Sequence, residues 1–358
     1  MNYPLKFKAA ILDKVNSPLS IDEIVYEGPL KTGQVLTKIK YTGICGKQLE
    51  EIDGKSNFHG KPDPFIPHLL GHEATGVVMD IGPGVTKVVP GDSVVIHWMK
   101  GSGINSETPV YTRNGKRVNA GWITTFNEYG VISENRMTRI PFPDCTDLES
   151  ACLLGCCVTT GIGVILNEAK PSPYDSVAVF GCGGVGLNAI QGAKLLNAYP
   201  IIAIDTNPGN LELADRLGAD HLINPKKEDP VESVKHITRN LTPQQGAKFV
   251  ICSLANTQAI EQAVQASAIP GKVYFVGVPE LDSKIIISPY DIHAGRILLG
   301  SQGGGTYPDT DIPKYLNLED KDLISVKDLV TKTLPFKDIN KGIDLFRKGM
   351  SGRCVIEM

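Results

Sequence analysis

Two types of side chain that could bind a metal ion occur in three distant segments of this chain. Cys45 lies upstream of His72, and the adjacent residues Cys156 and Cys157 lie well downstream. Zinc takes thiolate and imidazole ligands in a tetrahedral arrangement, and a catalytic zinc site keeps one position open for water or substrate. Two cysteines and one histidine would make such an open site, so these residues indicate a catalytic metal centre.

A glycine-rich turn at residues 181–186 is the second chemical signal. Its sequence, Gly-Cys-Gly-Gly-Val-Gly, follows an apolar run and precedes a helical pattern. In a dinucleotide-binding turn, Gly181 would permit the tight turn, Gly183 would let the backbone approach the pyrophosphate, and Gly186 would let the helix pack on the strand. A metal centre and a hydride carrier on one chain together indicate alcohol–carbonyl redox chemistry.

Asp205 supplies the third part of the nucleotide signal. It stands at the end of the next apolar run, residues 201–205. A carboxylate there accepts hydrogen bonds from the adenosine ribose hydroxyls and repels a 2′-phosphate. We therefore expect NAD rather than NADP as the cofactor.

The elements that must position these residues change in character along the chain. Residues 1–157 show short strand patterns broken by glycine and proline, which is typical of a small β-barrel-like domain. Residues 158–302 alternate continuously apolar strands with helices, which predicts an α/β fold with a doubly wound parallel sheet. Residues 303–358 carry a further helix and a final apolar strand, and we expect them to return to the first domain.

Two segments carry more specific expectations. Residues 100–119 are polar and rich in glycine and serine, so we expect a long exposed excursion with little core. The apolar runs 285–287 and 297–299 are predicted strands that could extend the sheet across a two-fold axis. A homodimer, or a homotetramer built from dimers, is therefore the expected assembly.

Composition excludes several classes of protein. A net charge of -3 gives no electrostatic reason to expect a nucleic acid or an anionic membrane as partner. Eight cysteines in 358 residues are not a disulfide scaffold, and they fit a reducing compartment better. The first residues resemble no signal peptide, and no apolar run reaches the ~20 residues of a membrane span. We expect a cytoplasmic enzyme with a small-molecule alcohol or carbonyl substrate.

The residues around His72 carry a resemblance to a known family. This segment is similar to the signature of the zinc-containing alcohol dehydrogenases of the medium-chain dehydrogenase/reductase superfamily. The resemblance covers essentially the whole chain, and its motifs are Gly71-His72-Glu73-Ala74-Thr75-Gly76 with Gly82 and Val85, Gly43-Ile44-Cys45-Gly46, Gly91-Asp92, Cys156 with Gly161, and the turn 181–186. It implies a GroES-like, mainly β catalytic domain (1–157 and 303–358) and a Rossmann dinucleotide-binding domain (158–302).

The resemblance also implies a role for each residue near the metal. Cys45, His72 and Cys156 correspond to the catalytic zinc ligands known for this family, with Cys156 preferred over Cys157 because of its spacing to Gly161. Glu73 corresponds to a carboxylate that tunes or transiently ligates the zinc; the alternative is a buried ion pair. Trp98 corresponds to an aromatic wall of the substrate pocket, with ordinary core packing as the alternative.

The cofactor contacts implied by the resemblance lie mainly in the second domain. Thr160 and Val185 correspond to residues against the nicotinamide ring, and Gly184 belongs to the phosphate-binding turn. The nicotinamide carboxamide is expected along the backbone around Val276, Val278 and Gln302. Arg353 is expected near the pyrophosphate, with a surface ion pair as the alternative.

The chain departs from the family at two places. Residues 97–139 contain no cysteine, whereas many relatives carry a structural zinc there, so we expect one zinc per subunit. Lys47 and Gln48 stand where relatives have Ser or Thr and then Asp. Lys47 could relay a proton, bind an anionic substrate group or reach solvent; the weaker candidates for the outer relay are Glu50, Glu51 and His59. Gln48 predicts weaker zinc binding, since it is a neutral partner where a carboxylate would increase the basicity of the ligand.

The function indicated is a zinc-dependent oxidoreductase that transfers hydride between an alcohol, polyol or sugar derivative and NAD. One alternative is a zinc-free nicotinamide-dependent reductase of the same superfamily. The other is a non-catalytic nucleotide-binding relative. Stoichiometric zinc and NAD-dependent oxidation of any alcohol would exclude both alternatives.

Overall fold

The computed structural model describes residues 2–55, 57–58, 61–62, 66–241 and 245–358, so His59 lies outside the described residues. The chain divides into two compact units. The first contains Met1–Cys156, Tyr307–Asp322 and Val326–Met358, and the second contains Cys157–Thr306 and Leu323–Ser325.

Twenty strands are present among the described residues. In chain order they are β1 (Leu5–Leu12), β2 (Ser20–Tyr26), β3 (Gln34–Gly43), β4 (Asn57–Phe58), β5 (Lys61–Pro62), β6 (His68–Leu69), β7 (Glu73–Ile81), β8 (Ser93–His97), β9 (Tyr111–Arg113), β10 (Lys116–Val118), β11 (Tyr129–Ser133), β12 (Met137–Arg139), β13 (Val177–Phe180), β14 (Ile201–Ile204), β15 (His221–Ile223), β16 (Ala247–Cys252), β17 (Ser267–Phe275), β18 (Ile297–Gly300), β19 (Val330–Pro335) and β20 (Arg353–Glu357).

The helices are fewer and mostly belong to the second unit. The α-helices are α1 (Gly46–Ile52), α2 (Leu148–Ala151), α3 (Cys157–Gly163), α4 (Gly184–Leu195), α5 (Pro208–Leu217), α6 (Pro230–Ile237), α7 (Thr257–Ala266), α8 (Pro289–His293), α9 (Pro308–Asp320) and α10 (Ile339–Arg347). A π-helix covers Val164–Ala169, and 3₁₀ turns cover Glu134–Arg136, Cys152–Gly155, Gly303–Gly305, Lys327–Leu329 and Phe336–Asp338. In the described part of the chain, no single helix is long and apolar enough to cross a membrane.

The first unit is built on β3, the ten-residue strand at the centre of its larger sheet. That sheet has the order β12-β8-β7-β3-β20-β19, and β11 also pairs with β3. The smaller sheet has the order β10-β9-β2-β1-β6. Because β20 pairs with β3 through Val355 and Gly43, the last strand of the chain lies in the same sheet as the strand that precedes Cys45.

The second unit is a parallel six-stranded sheet of order β15-β14-β13-β16-β17-β18. Its adjacent interior strands β13 and β14 are buried along their whole length, because strands covered by helices must be apolar on both faces. The helix α5 starts at Pro208 and stops at Gly218, whose φ of 115° suits a glycine at the end of a helix. This order is that of a doubly wound dinucleotide-binding sheet, so the predicted fold class is confirmed.

One prediction about local structure was partly wrong and another was wrong. The excursion 100–119 is largely exposed, as predicted. However, it contains β9 and β10, and its Tyr111 ring is fully buried between other aromatic residues, so the segment also contributes to the core. Residues 285–287 form no strand. The Ile286 side chain is 84% exposed, and the Ile286 backbone N–H donates to the Glu261 carboxylate instead of to a neighbouring strand. Ile285 and Ile287 do pack on the apolar core of the second unit.

Candidate active site

The register of two antiparallel strands brings Cys45 close to His72. Cys45 follows the end of β3, and His72 directly precedes the start of β7. Thr42 pairs with Ala74 across these strands, and the Thr42 hydroxyl donates to the Glu73 carbonyl at 2.9 Å. The two side chains therefore leave neighbouring strand ends at the same edge of the sheet.

Close backbone packing places Cys156 beside them. It follows the 3₁₀ turn Cys152–Gly155, and a Cβ added at Gly155 would lie 2.8 Å from the Glu73 Cα. Glycine at 155 is therefore required for this turn to approach the start of β7. The Sγ atoms of Cys45 and Cys156 are 3.9 Å apart, and the ligand atoms of Cys45, His72 and Cys156 all lie within 4.8 Å of one another.

This set of donors fits a zinc ion. Hydrogen bonding with Cys156 and the proximity of His72 hold the pKa of the Cys45 thiol well below its usual range, although burial opposes the shift. Burial lowers the pKa of His72, but the hydrogen bond and charge of Cys45 outweigh it and raise that pKa overall. A thiolate is the form of cysteine that binds metal. In the described ranges, Cys45, His72 and Cys156 form the single cluster of three or more His, Cys, Asp or Glu side chains that could hold a metal ion.

Gln48 contacts two of the three ligand residues. Its side chain is fully buried on the first turn of α1, where Cys45 is the N-cap residue. The Oε1 atom accepts from the Cys45 backbone N–H at 2.8 Å, and the Nε2 atom contacts His72 Nδ1. With Nδ1 in contact with Gln48, Nε2 is the ring nitrogen that remains for a metal.

Glu73 lies next to the cluster and forms an ion pair with Arg353. The Arg353 Nη2 donates to Glu73 Oε1, and the two side chains are 4% and 0% exposed. The surface-ion-pair alternative for Arg353 is therefore wrong, because the guanidinium is buried within the first unit. Glu73 therefore forms the buried ion pair that the sequence left as its alternative. Sequence reasoning missed Arg353 as the partner, since 280 residues separate the two and neither local pattern points to the other.

Lys47 and Trp98 are half-buried. The Lys47 ammonium forms an ion pair with the Glu50 carboxylate at 2.9 Å, and their side chains are 39% and 33% exposed. Trp98 follows β8, and its backbone carbonyl accepts from the Arg136 guanidinium. Trp98 as a wall of the substrate pocket stays a prediction.

The glycine-rich turn lies in the second unit between β13 and α4. Gly181 has φ of +88°, and a Cβ there would lie 2.6 Å from the Ser253 hydroxyl. A Cβ at Gly186 would overlap the Gly181 carbonyl oxygen at 1.8 Å, whereas a Cβ at Gly183 would meet no atom within 4 Å. The backbone at Gly181 and Gly186 therefore leaves no room for a side chain, whereas the space beside Gly183 contains no protein atoms. A phosphate would approach the start of the helix through such a space.

Asp205 is tied to the same turn. One carboxylate oxygen accepts from the Cys182 backbone N–H at 2.7 Å, and the other accepts from the Asn207 N–H at 2.7 Å. Asp205 follows β14, so it lies beside the glycine turn at the carboxyl ends of the strands, where ligands bind in such sheets.

The remaining cofactor candidates, apart from Arg353, lie in the second unit as well. Val276 and Val278 follow β17, and Gln302 follows β18, so all three lie at the carboxyl ends of strands. Thr160 is buried on α3, and a Cβ at the adjacent glycine, residue 161, would meet the Val185 carbonyl at 2.2 Å. Their contacts with a cofactor stay predictions.

Comparison with known protein families gives two matches within the chain. Residues 31–142 match the "Alcohol dehydrogenase GroES-like domain", and residues 184–320 match the "Zinc-binding dehydrogenase" family. The first range contains Cys45 and His72, and the second begins at Gly184 and contains Asp205. The predicted GroES-like and dinucleotide-binding architecture is therefore confirmed.

Full-length relatives agree with these matches. The chain is 34% identical to S-(hydroxymethyl)glutathione dehydrogenase of Synechocystis sp., with 98% of this chain and 100% of the relative covered. It is 32% identical to alcohol dehydrogenase class-3 of Cereibacter sphaeroides, with 98% and 100% covered. The crystal structure of benzyl alcohol dehydrogenase from Acinetobacter calcoaceticus matches with a TM-score of 0.87, 28% identity and 99% of both chains covered.

These comparisons confirm an oxidoreductase of the alcohol dehydrogenase type with zinc and NAD as cofactors. The chain belongs to the zinc-containing alcohol dehydrogenase family of the medium-chain dehydrogenase/reductase superfamily.

Proposed function

We propose that Cys45, His72 and Cys156 hold the zinc with which this protein oxidises an alcohol reversibly to an aldehyde or ketone. The observation that carries the proposal is the convergence of two sulfur atoms and one imidazole nitrogen within 4.8 Å. Bound zinc supplies a Lewis acid that favours the deprotonated alcohol or polarises the carbonyl. Glu73, directly beside His72 and paired with Arg353, adjusts the charge around this centre.

The second unit is proposed to bind NAD. The open side of Gly183 and the start of α4 receive the pyrophosphate, together with Gly181, Gly184 and Gly186. Asp205 accepts hydrogen bonds from the ribose hydroxyls and disfavours the 2′-phosphate of NADP. The roles proposed for Thr160, Val185, Val276, Val278, Gln302 and Arg353 are the nicotinamide and phosphate contacts described above.

Lys47 and Glu50 are proposed to carry the proton of the alcohol toward solvent. The 2.9 Å ion pair supports this role, because both groups are partly exposed and linked to each other. The pairing also argues against an anion-binding Lys47, since Glu50 already compensates its charge. Lys47→Ala is expected to reduce turnover of charged and uncharged alcohols alike. A loss restricted to the KM of anionic substrates would identify an anion-binding residue, and Lys38→Ala, an exposed lysine on β3, is the control.

A single zinc per subunit is proposed. Residues 97–139 contain no cysteine. The Glu134 carboxylate instead accepts from the Ile104 N–H within this region, and from the Thr86 and Lys87 N–H groups that precede it, at 2.7–2.9 Å. Metal analysis of the purified protein is expected to give about one zinc per chain, and two would contradict the proposal.

We propose a homodimer, or a homotetramer built from dimers, in the cytoplasm. Strand β18 stands at one end of the order of the parallel sheet, and its Ile297 is 45% exposed. An unpaired apolar edge strand is a surface that a second copy can cover. Light scattering tests the assembly, and Ile297→Lys is expected to yield monomers. The cytoplasmic location rests on eight cysteines without a disulfide in the described structure, and cell fractionation tests it.

The activity test is a panel of alcohols and aldehydes followed through NADH absorbance, with metal content measured on the same samples. The panel includes simple alcohols, benzyl alcohol, polyols, sugar derivatives and the S-(hydroxymethyl)glutathione that the curated relatives are named for. Oxidation of at least one alcohol with NAD and stoichiometric zinc is expected. Reduction of activated double bonds without zinc would favour the zinc-free reductase, and nucleotide binding without turnover would favour the non-catalytic relative.

We propose that the first unit corresponds to the predicted catalytic domain (1–157 and 303–358) and the second to the predicted nucleotide-binding domain (158–302). Limited proteolysis that yields a stable fragment close to 158–302 would support this division. Cleavage first within β13–β18 would contradict it.

A further inference from the structure

Gln48 is buried between the residues that supply two of the proposed zinc ligands. Its Oε1 atom accepts from the Cys45 backbone N–H at 2.8 Å, and its Nε2 atom faces His72 Nδ1. The side chain is 0% exposed, so water does not compete for these contacts. The amide therefore has two neighbours and must satisfy both with its own atoms.

When His72 binds a metal, the Gln48 amide faces two hydrogen-bond donors with only one acceptor oxygen. A glutamine side chain has one acceptor oxygen and one NH₂ donor, whereas a carboxylate has two acceptor oxygens. When His72 Nε2 gives its lone pair to a metal, Nδ1 carries the ring proton and becomes a donor. The backbone N–H of Cys45 is always a donor.

Neither orientation of the amide can satisfy both donors. With Oε1 on the Cys45 N–H, the NH₂ group faces the His72 Nδ1–H. With the amide turned by half a rotation, Oε1 accepts from Nδ1–H, but the NH₂ group then faces the Cys45 N–H. The present contacts suit the opposite tautomer, in which Nδ1 accepts and the proton is on Nε2, the nitrogen that the metal needs.

We infer that Gln48 is a positioning residue that favours the Nε2–H tautomer of His72 and thereby weakens zinc binding at this centre. The inference rests on the proposed ligand set Cys45, His72 and Cys156. Loss or gain of a hydrogen-bond acceptor behind a metal-binding histidine typically changes metal affinity by about 10–100-fold. Zinc exchange by this protein is correspondingly easier than it would be with a carboxylate at position 48.

The test compares zinc affinities of Gln48→Glu and the wild type by competition with a chromophoric chelator. Glutamate has the same length and offers one oxygen to each donor, so zinc is expected to bind about 10–100-fold more tightly. Lys47→Met is the control for charge, since it makes the same one-unit change next to Gln48 without supplying an acceptor. Equal or weaker binding by Gln48→Glu would overturn the inference, and so would an equal gain in Lys47→Met.

A second measurement uses the wild-type protein and does not depend on folding of a variant. Nuclear magnetic resonance of ¹⁵N-labelled histidine distinguishes the two tautomers of a neutral imidazole. In the metal-free protein at alkaline pH, the ring proton of His72 is expected on Nε2, and on Nδ1 after Gln48→Glu. A proton on Nδ1 in the wild type would overturn the inference.

The zinc measurements also distinguish failure of this inference from failure of the proposed function. A wild type that binds no zinc would contradict both the proposed function and the role of Gln48. A wild type that binds one zinc and oxidises alcohols, but gains no affinity in Gln48→Glu, would leave the proposed function in place and remove the role of Gln48.

Discussion

Arg353 and Glu73 form an ion pair inside the first unit, 280 residues apart in the chain and almost wholly shielded from water. The order of the strands in the larger sheet brings them together. Glu73 begins β7, Arg353 begins β20, and both strands pair with β3. The C-terminal strand thus supplies the cation for a carboxylate that is adjacent to His72.

The first prediction concerns this pair. Arg353→Leu removes the guanidinium partner of a buried carboxylate and is expected to lower the free energy of unfolding of the first unit by about 3–5 kcal/mol. The double variant Glu73→Gln/Arg353→Leu is expected to recover part of that loss. Urea titration followed by tryptophan fluorescence measures it, because Trp98 and Trp122 are the two tryptophans of the chain and both lie in the first unit. A single variant as stable as the wild type would contradict the prediction.

The second prediction separates two adjacent cysteines. Cys156→Ser removes one proposed ligand and is expected to reduce bound zinc to well below one per chain and to abolish turnover. Cys157→Ser is the matched control, since Cys157 is buried on α3 and lies outside the metal cluster. It is expected to keep its zinc. Metal analysis after dialysis decides between them, and loss of zinc in Cys157→Ser alone would reverse the assignment.

The third prediction concerns acid stability of the region that lacks a structural zinc. Burial alone would raise the pKa of Glu134, but hydrogen bonds from the Ile104, Thr86 and Lys87 backbone N–H groups outweigh burial and hold the pKa below its ordinary value of 4.5. A carboxylate whose pKa is lower in the folded state contributes stability that is complete above the unfolded-state pKa. That contribution is lost as pH falls through the folded-state pKa.

The wild type is therefore expected to lose urea stability more steeply than Glu134→Gln as pH falls from about 5 to about 3. At pH 7, Glu134→Gln is expected to be less stable by about 1–3 kcal/mol, because one amide oxygen cannot accept from all three donors. Glu27→Gln, an exposed glutamate of the same unit, is the control and is expected to follow the wild type. Parallel pH profiles for the wild type and Glu134→Gln would count against this account.

The fourth prediction distinguishes two glycines of the phosphate-binding turn. Gly186→Ala would place a Cβ 1.8 Å from the Gly181 carbonyl oxygen, so it is expected to destabilise the second unit. Gly183→Ala meets no protein atom within 4 Å and is expected to fold normally. Its methyl group projects into the space proposed for the pyrophosphate, so NAD affinity is expected to fall by about tenfold or more. Calorimetric NAD titration and thermal unfolding measure the two effects, and unchanged NAD binding in Gly183→Ala would place the phosphates elsewhere.

Much of the fold and the candidate site could be predicted because the signals are local. The turn 181–186 follows from local requirements at two glycines: Gly181 has a φ of +88°, and a Cβ at Gly186 would overlap the Gly181 carbonyl oxygen of the same turn. The apolar runs of β13, β14 and β16 predict a buried parallel sheet because strands covered on both faces must be apolar along their whole length. Failures occurred where context overrides composition: Tyr111 lies in a polar segment yet is buried by aromatic neighbours, and Ile286 lies in an apolar run yet is exposed.

The sequence by itself determined the chemistry that is available: thiolate and imidazole donors at Cys45, His72 and Cys156, and a turn that accepts a dinucleotide. The tertiary structure decided which groups meet, namely Glu73 with Arg353 and Gln48 with both Cys45 and His72. The physical reason is that residue types fix which bonds a side chain can make, whereas contacts between distant residues depend on strand register and close backbone packing, which no local pattern encodes.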